Sequence, residues 1–185
     1  MYVLKLSTIQ ENETIIKKSV DILNNGGIIA IPTDTVYGFA ALASNEKAIE
    51  RLYKVKEREK NKSIAVLLGD SAQAKLVTDD FSQSADRITQ KFWPGGLTVI
   101  VKKRNGLPPN ISQQDTIGIR IPDHEFVRTL ICVSGPLAVT SANHSGLPPA
   151  TSVSEFENAL GDQLDLIVDG GKTAGGIPST VVDCT

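Results

Sequence analysis

Cysteine and histidine are nearly missing from this 185-residue sequence, which has only Cys132, Cys184, His124 and His144. Neither pair has metal-ligand spacing, so a structural zinc site and a dense disulfide framework are both excluded, and both thiols are expected to be buried. A magnesium ion held by carboxylates stays open. No apolar run approaches the ~20 residues that a membrane helix requires, and the opening Met1-Tyr2-Val3-Leu4-Lys5-Leu6 lacks the long apolar core of a secretory signal. A soluble, cytoplasmic protein with no membrane partner is the expectation. Aromatic residues make up 5% of the chain and the net charge is −2, which argues against nucleic-acid binding through whole-molecule charge but leaves room for a local basic cleft. Also absent are the Walker phosphate loop, G-x-G-x-x-G, the G-x-S-x-G elbow and H-E-x-x-H, so the ordinary P-loop, dinucleotide-binding, esterase and zincin readings fail.

What remains is an ordinary globular composition, 41% hydrophobic and 22% charged, of a length suited to one domain over residues 1–185. The chain is organised around Ile28-Ile29-Ala30-Ile31-Pro32-Thr33-Asp34-Thr35-Val36-Tyr37-Gly38. An apolar strand ends there in hydroxyls and a carboxylate, because Pro32 cannot donate a ladder hydrogen bond. Open α/β sheets bind ligands at such carboxyl ends, although Thr33 to Thr35 could equally form a turn that caps the next helix. Asp34 either binds a ligand amine or braces the turn.

The same design recurs. A helical stripe over Glu13 to Leu23 precedes the organising strand, and Ser44 or Asn45 can cap a helix through Val55 that leads into Lys54, Lys56, Arg58, Lys60 and Lys62. Ile64 to Leu68 reads as a buried strand, two helical patterns end near Phe92, and Trp93-Pro94-Gly95-Gly96 breaks the second before the strand Leu97 to Val101. Period-two alternation in Ile117-Gly118-Ile119-Arg120-Ile121 puts Arg120 opposite the isoleucine face, where it needs a partner. After a helix through Phe126 and Ile131, the strand Leu137 to Val139 ends in Thr140-Ser141-Ala142-Asn143. Thr151 or Ser152 can cap a short helix, Leu164 to Val168 is a strand, and Ser179 and Thr180 open the last one. The expected fold is α/β, a twisted mixed sheet with helices on its faces.

Three polar strand ends and a cationic set could converge: Lys56, Arg58, Lys62 and Arg120 with Thr33, Thr35, Ser141, Asn143, Ser179 and Thr180. Arginine grips carboxylate or phosphate bidentately and lysine acts as a point charge, so this inventory describes an anion-binding pocket that works by positioning and electrostatics.

Six segments together, Pro32-Thr33-Asp34-Thr35-Val36-Tyr37-Gly38, Lys56-Glu57-Arg58, Trp93-Pro94-Gly95-Gly96-Leu97-Thr98, Ile119-Arg120-Ile121-Pro122-Asp123-His124, Ser141-Ala142-Asn143-His144-Ser145-Gly146 and Pro178-Ser179-Thr180-Val181-Val182-Asp183, resemble the YrdC family of threonylcarbamoyl-AMP synthases. The likeness runs over about residues 12 to 184. It implies a YrdC-like sheet around a positively charged central cavity, and a nucleotidyltransferase that converts L-threonine, bicarbonate and ATP into threonylcarbamoyl-AMP and pyrophosphate. The product would serve threonylcarbamoyladenosine modification at tRNA position 37, through a downstream threonylcarbamoyl transferase complex, with tRNA or double-stranded RNA as a further contact.

Carried over by position, the resemblance makes Lys56 and Arg58 catalytic. Thr35, Arg120, Ser141, Ser179 and Thr180 would bind threonine, and Arg58, Lys62, Thr116, Asn143 and Thr151 the nucleotide. Magnesium would arrive with ATP, with no protein ligand assigned. For Thr35 and Thr151 a helix-cap role stands beside the binding role, and for Thr116 and Thr180 a plain loop or strand role. Trp93 is expected to be structural, and His124 and His144 to serve a turn or cap. Two positions depart from the family pattern: Ser63, where many members have proline, and Leu67, where some longer members have histidine. A sequence ending at Thr185 is expected to represent the short, single-domain form, without the C-terminal arginine that contacts the nucleotide in longer members, and to bind ATP more weakly. The rivals are an RNA-binding module using the same basic concavity and a carbamoyl-transfer module of hydrogenase maturation. The first leaves the strand-end hydroxyls unexplained, and the second calls for acylphosphatase-like and zinc-finger portions.

Overall fold

A computed structural model describes residues 2–185. Among these residues nine strands form one mixed sheet in the order β1-β8-β2-β3-β7-β4-β6-β5-β9. In chain order the elements are β1 (Tyr2–Lys5), α1 (Ile9–Asn24), β2 (Ile29–Ile31), β3 (Gly38–Leu42), α2 (Glu46–Lys56), β4 (Ala65–Leu67), α3 (Gln83–Phe92), β5 (Leu97–Lys102), β6 (Thr116–Arg120), α4 (Glu125–Ser134), β7 (Leu137–Ser141), the single-turn α5 (Glu157–Leu160), β8 (Leu166–Asp169) and β9 (Thr180–Asp183). The parallel pairs are β1 with β8, β2 with β8, β4 with β6 and β5 with β9. The others are antiparallel.

Both faces of the sheet are covered, which explains why its central strands read as continuous apolar runs rather than alternating ones. Ile29 and Ile31 pack with α1 and α4 through Leu23, Val127, Leu130 and Ile131. Ile28 and Ala30, one residue out of phase, join Tyr37, Phe39, Leu52, Phe156 and the α2 side.

Several local expectations change. Helix α1 begins before Glu13, at Ile9, because Thr8 and Glu11 form a capping box that supplies the first turn's missing partners. Strand β3 was not foreseen: Gly38-Phe39-Ala40-Ala41-Leu42 has no β-branched residue, yet it pairs on both sides, with β2 and β7. The first of the two helical patterns before Phe92 is a 3-10 segment, Ser71–Leu76, rather than an α-helix. Asn45, not Ser44, caps α2 by accepting from the Ala48 N–H. Ser152 stands at the start of the 3-10 turn Val153–Glu155 without a side-chain cap bond, since both it and Thr151 bond the Glu155 carboxylate. Of the two thiols expected to be buried, Cys184 is and Cys132 is exposed.

Candidate active site

The site begins with a turn. Thr33 Oγ1 accepts the N–H groups of Thr35 at 3.1 Å and Val36 at 3.2 Å, and lies 2.7 Å from the Val36 carbonyl. Thr33 therefore braces the backbone, as hydroxyl turns do, and leaves the Thr35 hydroxyl as the outward-facing group of the pair.

Arg120, at the end of β6, is 6% exposed, and each guanidinium nitrogen has a partner. Nε donates to the Gly95 carbonyl at 2.9 Å, Nη1 to Thr35 Oγ1 at 3.0 Å, and Nη2 to the Asp34 carboxylate. Burial pulls this guanidinium below its ordinary pKa and Asp34 opposes the shift. It stays a cation, because an arginine titrates far above neutral pH. The Gly95 carbonyl is held by its own loop: Gly95 N–H bonds the Ile121 carbonyl at 2.9 Å, and a Cβ there would come within 2.7 Å of the Phe92 carbonyl oxygen. Trp93 Nε1 donates to the Leu97 carbonyl at 2.8 Å and the ring packs near Phe81, consistent with a structural role.

A second group of side chains gathers where α2 ends. Glu57 adopts the left-handed conformation, φ 51°, and turns the chain so that Lys56 and Arg58 diverge. Lys56 is 2% exposed, and its ammonium donates to the Ser141 carbonyl (2.6 Å), Ser141 Oγ (2.7 Å) and Asn143 Oδ1 (2.7 Å). An ammonium has three protons, so all are engaged. Burial, and then the nearby Arg58, push its pKa down to about 8. Asn143 Nδ2 in turn donates to the His144 and Leu147 carbonyls, which folds the loop after β7 around the lysine. Arg58 is clamped by backbone carbonyls, Nε to Lys62 and Nη2 to Ser63, and burial lowers its pKa from the ordinary value.

These elements enclose a cavity of about 250 Å³ lined by Thr35, Arg58, Arg120, Ser141 and Ser179, with Thr98, Ser63, Leu67 and Val139 among its other walls. Ser179 Oγ and Thr98 Oγ1 are 2.8 Å apart. Five of the expected site residues thus meet at one cavity. Lys56 and Asn143 do not line it; they hold Ser141 from behind. Lys62 is exposed and pairs with Glu59, Thr116 bonds Gln114, and Thr151 bonds Glu155. Thr180 is exposed and belongs to a separate groove beside Ile88 and Phe92. Thr98 is a cavity residue outside the expected set, and alternation in β5 signals it, since Leu97, Val99 and Val101 occupy the opposite face. Both positions that depart from the family pattern, Ser63 and Leu67, are in the wall.

His124 stands at the N-cap position of α4 without a side-chain cap bond, and its Nδ1 is buried with no partner. Burial lowers its pKa, opposed first by Asp34. Among the described residues no group of three or more His, Cys, Asp or Glu side chains could hold a metal ion. No helix among them is long and apolar enough to cross a membrane.

Known proteins resemble this chain in sequence and in fold. The Sua5/YciO/YrdC family model, which carries the description "Telomere recombination", matches residues 21–185. A putative threonylcarbamoyl-AMP synthase of Methanocaldococcus jannaschii is 38% identical over 184 residues, 97% of this chain and 86% of the relative. The threonylcarbamoyl-AMP synthase of Bacillus subtilis is 36% identical over 94% of this chain, but this chain spans only 51% of it. Among solved structures, Pyrococcus abyssi Sua5 complexed with L-threonine superposes with a TM-score of 0.92 at 31% identity, covering 98% of this chain and 53% of that one.

Proposed function

Since the chain belongs to the Sua5/YciO/YrdC family, we propose that it is an L-threonylcarbamoyladenylate synthase, a nucleotidyltransferase whose product feeds threonylcarbamoyladenosine modification of tRNA. The observation that carries this reading is Arg120: a buried guanidinium with every nitrogen oriented, facing a small cavity lined with hydroxyls. Such a site suits a carboxylate attached to a small polar body, and the Pyrococcus relative was solved with L-threonine.

In the proposed reaction the threonine carboxylate sits against Arg120 and Thr35, and Ser141 and Ser179 meet its polar groups. The amine takes up carbon dioxide derived from bicarbonate as a carbamate. A carbamate oxygen then attacks the α-phosphorus of ATP, forming a P–O bond as the bond to the β-phosphate oxygen breaks and pyrophosphate leaves. No protein nucleophile is needed. Arg58, held rigid by two carbonyls, would stabilise charge on the phosphate oxygens, and a preorganised donor of this kind is worth about 3 kcal/mol in the transition state. Lys56 contributes by fixing Ser141 and Asn143 and by its field. The cavity walls include no carboxylate, and Asp34 is already engaged by Arg120, so the donor set suits magnesium bound to ATP rather than to the protein. That ion would neutralise polyphosphate charge. The downstream transferase, contact with RNA and a cytoplasmic location belong to the same proposal.

The test is pyrophosphate release from ATP, magnesium and bicarbonate. Release that depends on threonine supports the proposal, whereas release indifferent to threonine, or none over a range of conditions, overturns it.

A further inference from the structure

We infer that Tyr37 is a positioning residue for the reaction, because its phenol anchors the root of the segment that carries Ser179 to the cavity. The inference rests on the activity proposed above.

Residues 170–179 run from the end of β8 to the start of β9, and most are exposed. Without anchors, such a segment could not present a hydroxyl at a fixed point. Six hydrogen bonds hold it. At its root, the Tyr37 hydroxyl donates to the Gly171 carbonyl at 2.7 Å and accepts from the Gly170 N–H at 3.0 Å. Asp169 Oδ1 closes the same turn by accepting from the Gly171 N–H at 2.8 Å. Midway, the Thr173 N–H bonds the Thr151 carbonyl and the Gly176 N–H bonds the Thr35 carbonyl, both at 2.8 Å. There the segment lies so close to the organising turn that a Cβ on Gly175 would fall 2.8 Å from the Asp34 carbonyl oxygen. At the far end Ser179 meets Thr98.

Tyr37 is suited to this task. Its side chain is fully buried, and its ring packs against Phe156 with centroids 5.7 Å apart. Its backbone is fixed from both sides, the N–H by the Ala150 carbonyl and the carbonyl by the Ala142 N–H. The phenol is thus a rigid post, and it both donates and accepts at the place where the segment leaves the sheet. Thr35 and Tyr37 come from one turn, so a single stretch lines the cavity and tethers the segment that carries Ser179 to it.

The decisive variant is Tyr37→Phe, which keeps the ring and removes only the hydroxyl. Amide exchange over residues 171–178 is expected to rise about tenfold while the sheet stays protected. The KM for threonine is expected to rise about fivefold with kcat within about twofold, the pattern of lost ground-state positioning. Unchanged exchange in this segment overturns the inference, and so does a fall in kcat at constant KM. Tyr37→Leu removes the packing as well; if it destabilises the whole protein while Tyr37→Phe does not, ring and hydroxyl are separated. Amide exchange needs no turnover, so it judges the anchor by itself. Wild-type protein that releases no threonine-dependent pyrophosphate would instead overturn the proposed activity.

Discussion

Arg120 and Asp34 form an ion pair that is nearly dry, their side chains 7% and 17% exposed, and only the arginine lines the cavity. The carboxylate is thus engaged by the guanidinium instead of facing the cavity.

Removing one partner of such a pair strands the other charge in a poorly solvated place, at a cost of about 3 kcal/mol or more. Asp34→Ala is expected to destabilise the protein by about that amount in chemical denaturation and to raise the KM for threonine. Asp34→Asn keeps an acceptor and should lose less. A change below about 1 kcal/mol in Asp34→Ala would mean that water replaces the carboxylate.

Lys56 should make activity and stability respond oppositely to pH. Its folded-state pKa of about 8 lies below the ordinary 10.5. Between those values the unfolded chain binds more protons at this site, so its contribution to stability increases with pH. Activity should do the reverse, because a neutral amine has two protons for three acceptors and loses its field at the cavity. Turnover is expected to fall above about pH 8 without unfolding. A pH–rate profile recorded alongside circular dichroism checks this, and Lys56→Met should abolish the limb.

Arg58→Ala is expected to lower kcat by about 100-fold, the equivalent of one lost transition-state donor. The guanidinium's partners are the Lys62 and Ser63 carbonyls in a partly exposed loop, so thermal stability should fall by only a few degrees. Comparable losses of stability and activity would assign Arg58 to the fold.

Cys132 is exposed and Cys184 buried, so a chromogenic disulfide reagent should titrate one thiol in the native protein and two after denaturation. Partial burial, and then Asp70, push the Cys132 pKa up. Its reaction at pH 8 should therefore be slower than that of a free thiol, and Asp70→Asn should accelerate it.

Much of the site was legible because strand periodicity and strand ends are local properties. Arg120 had to face away from Ile117 and Ile119, and Ser141 had to follow the last apolar residue of its strand. Register between distant strands is not local. Ser179 reaches the cavity while Thr180 turns to the α3 side because of how β9 pairs with β5, Leu97 opposite Thr180, and adjacent hydroxyls carry no sign of that choice. Lys56 illustrates a different limit: its acceptors lie 85 and 87 positions further along the chain. Thr151 is the converse case, since its partner Glu155 is only four residues away.

The placement of β8 also constrains how the molecule is assembled. This strand lies between β1 and β2, so the first two strands to emerge from a ribosome have no ladder between them until Leu166 and its neighbours follow. Ser179 comes later still. Chains dominated by such distant pairings fold slowly, because loop closure precedes any reward. Nascent chains that lack these last elements expose the edges of β1 and β2 and have no complete pocket, so a truncated message would yield a protein that cannot bind its substrate and is prone to aggregate.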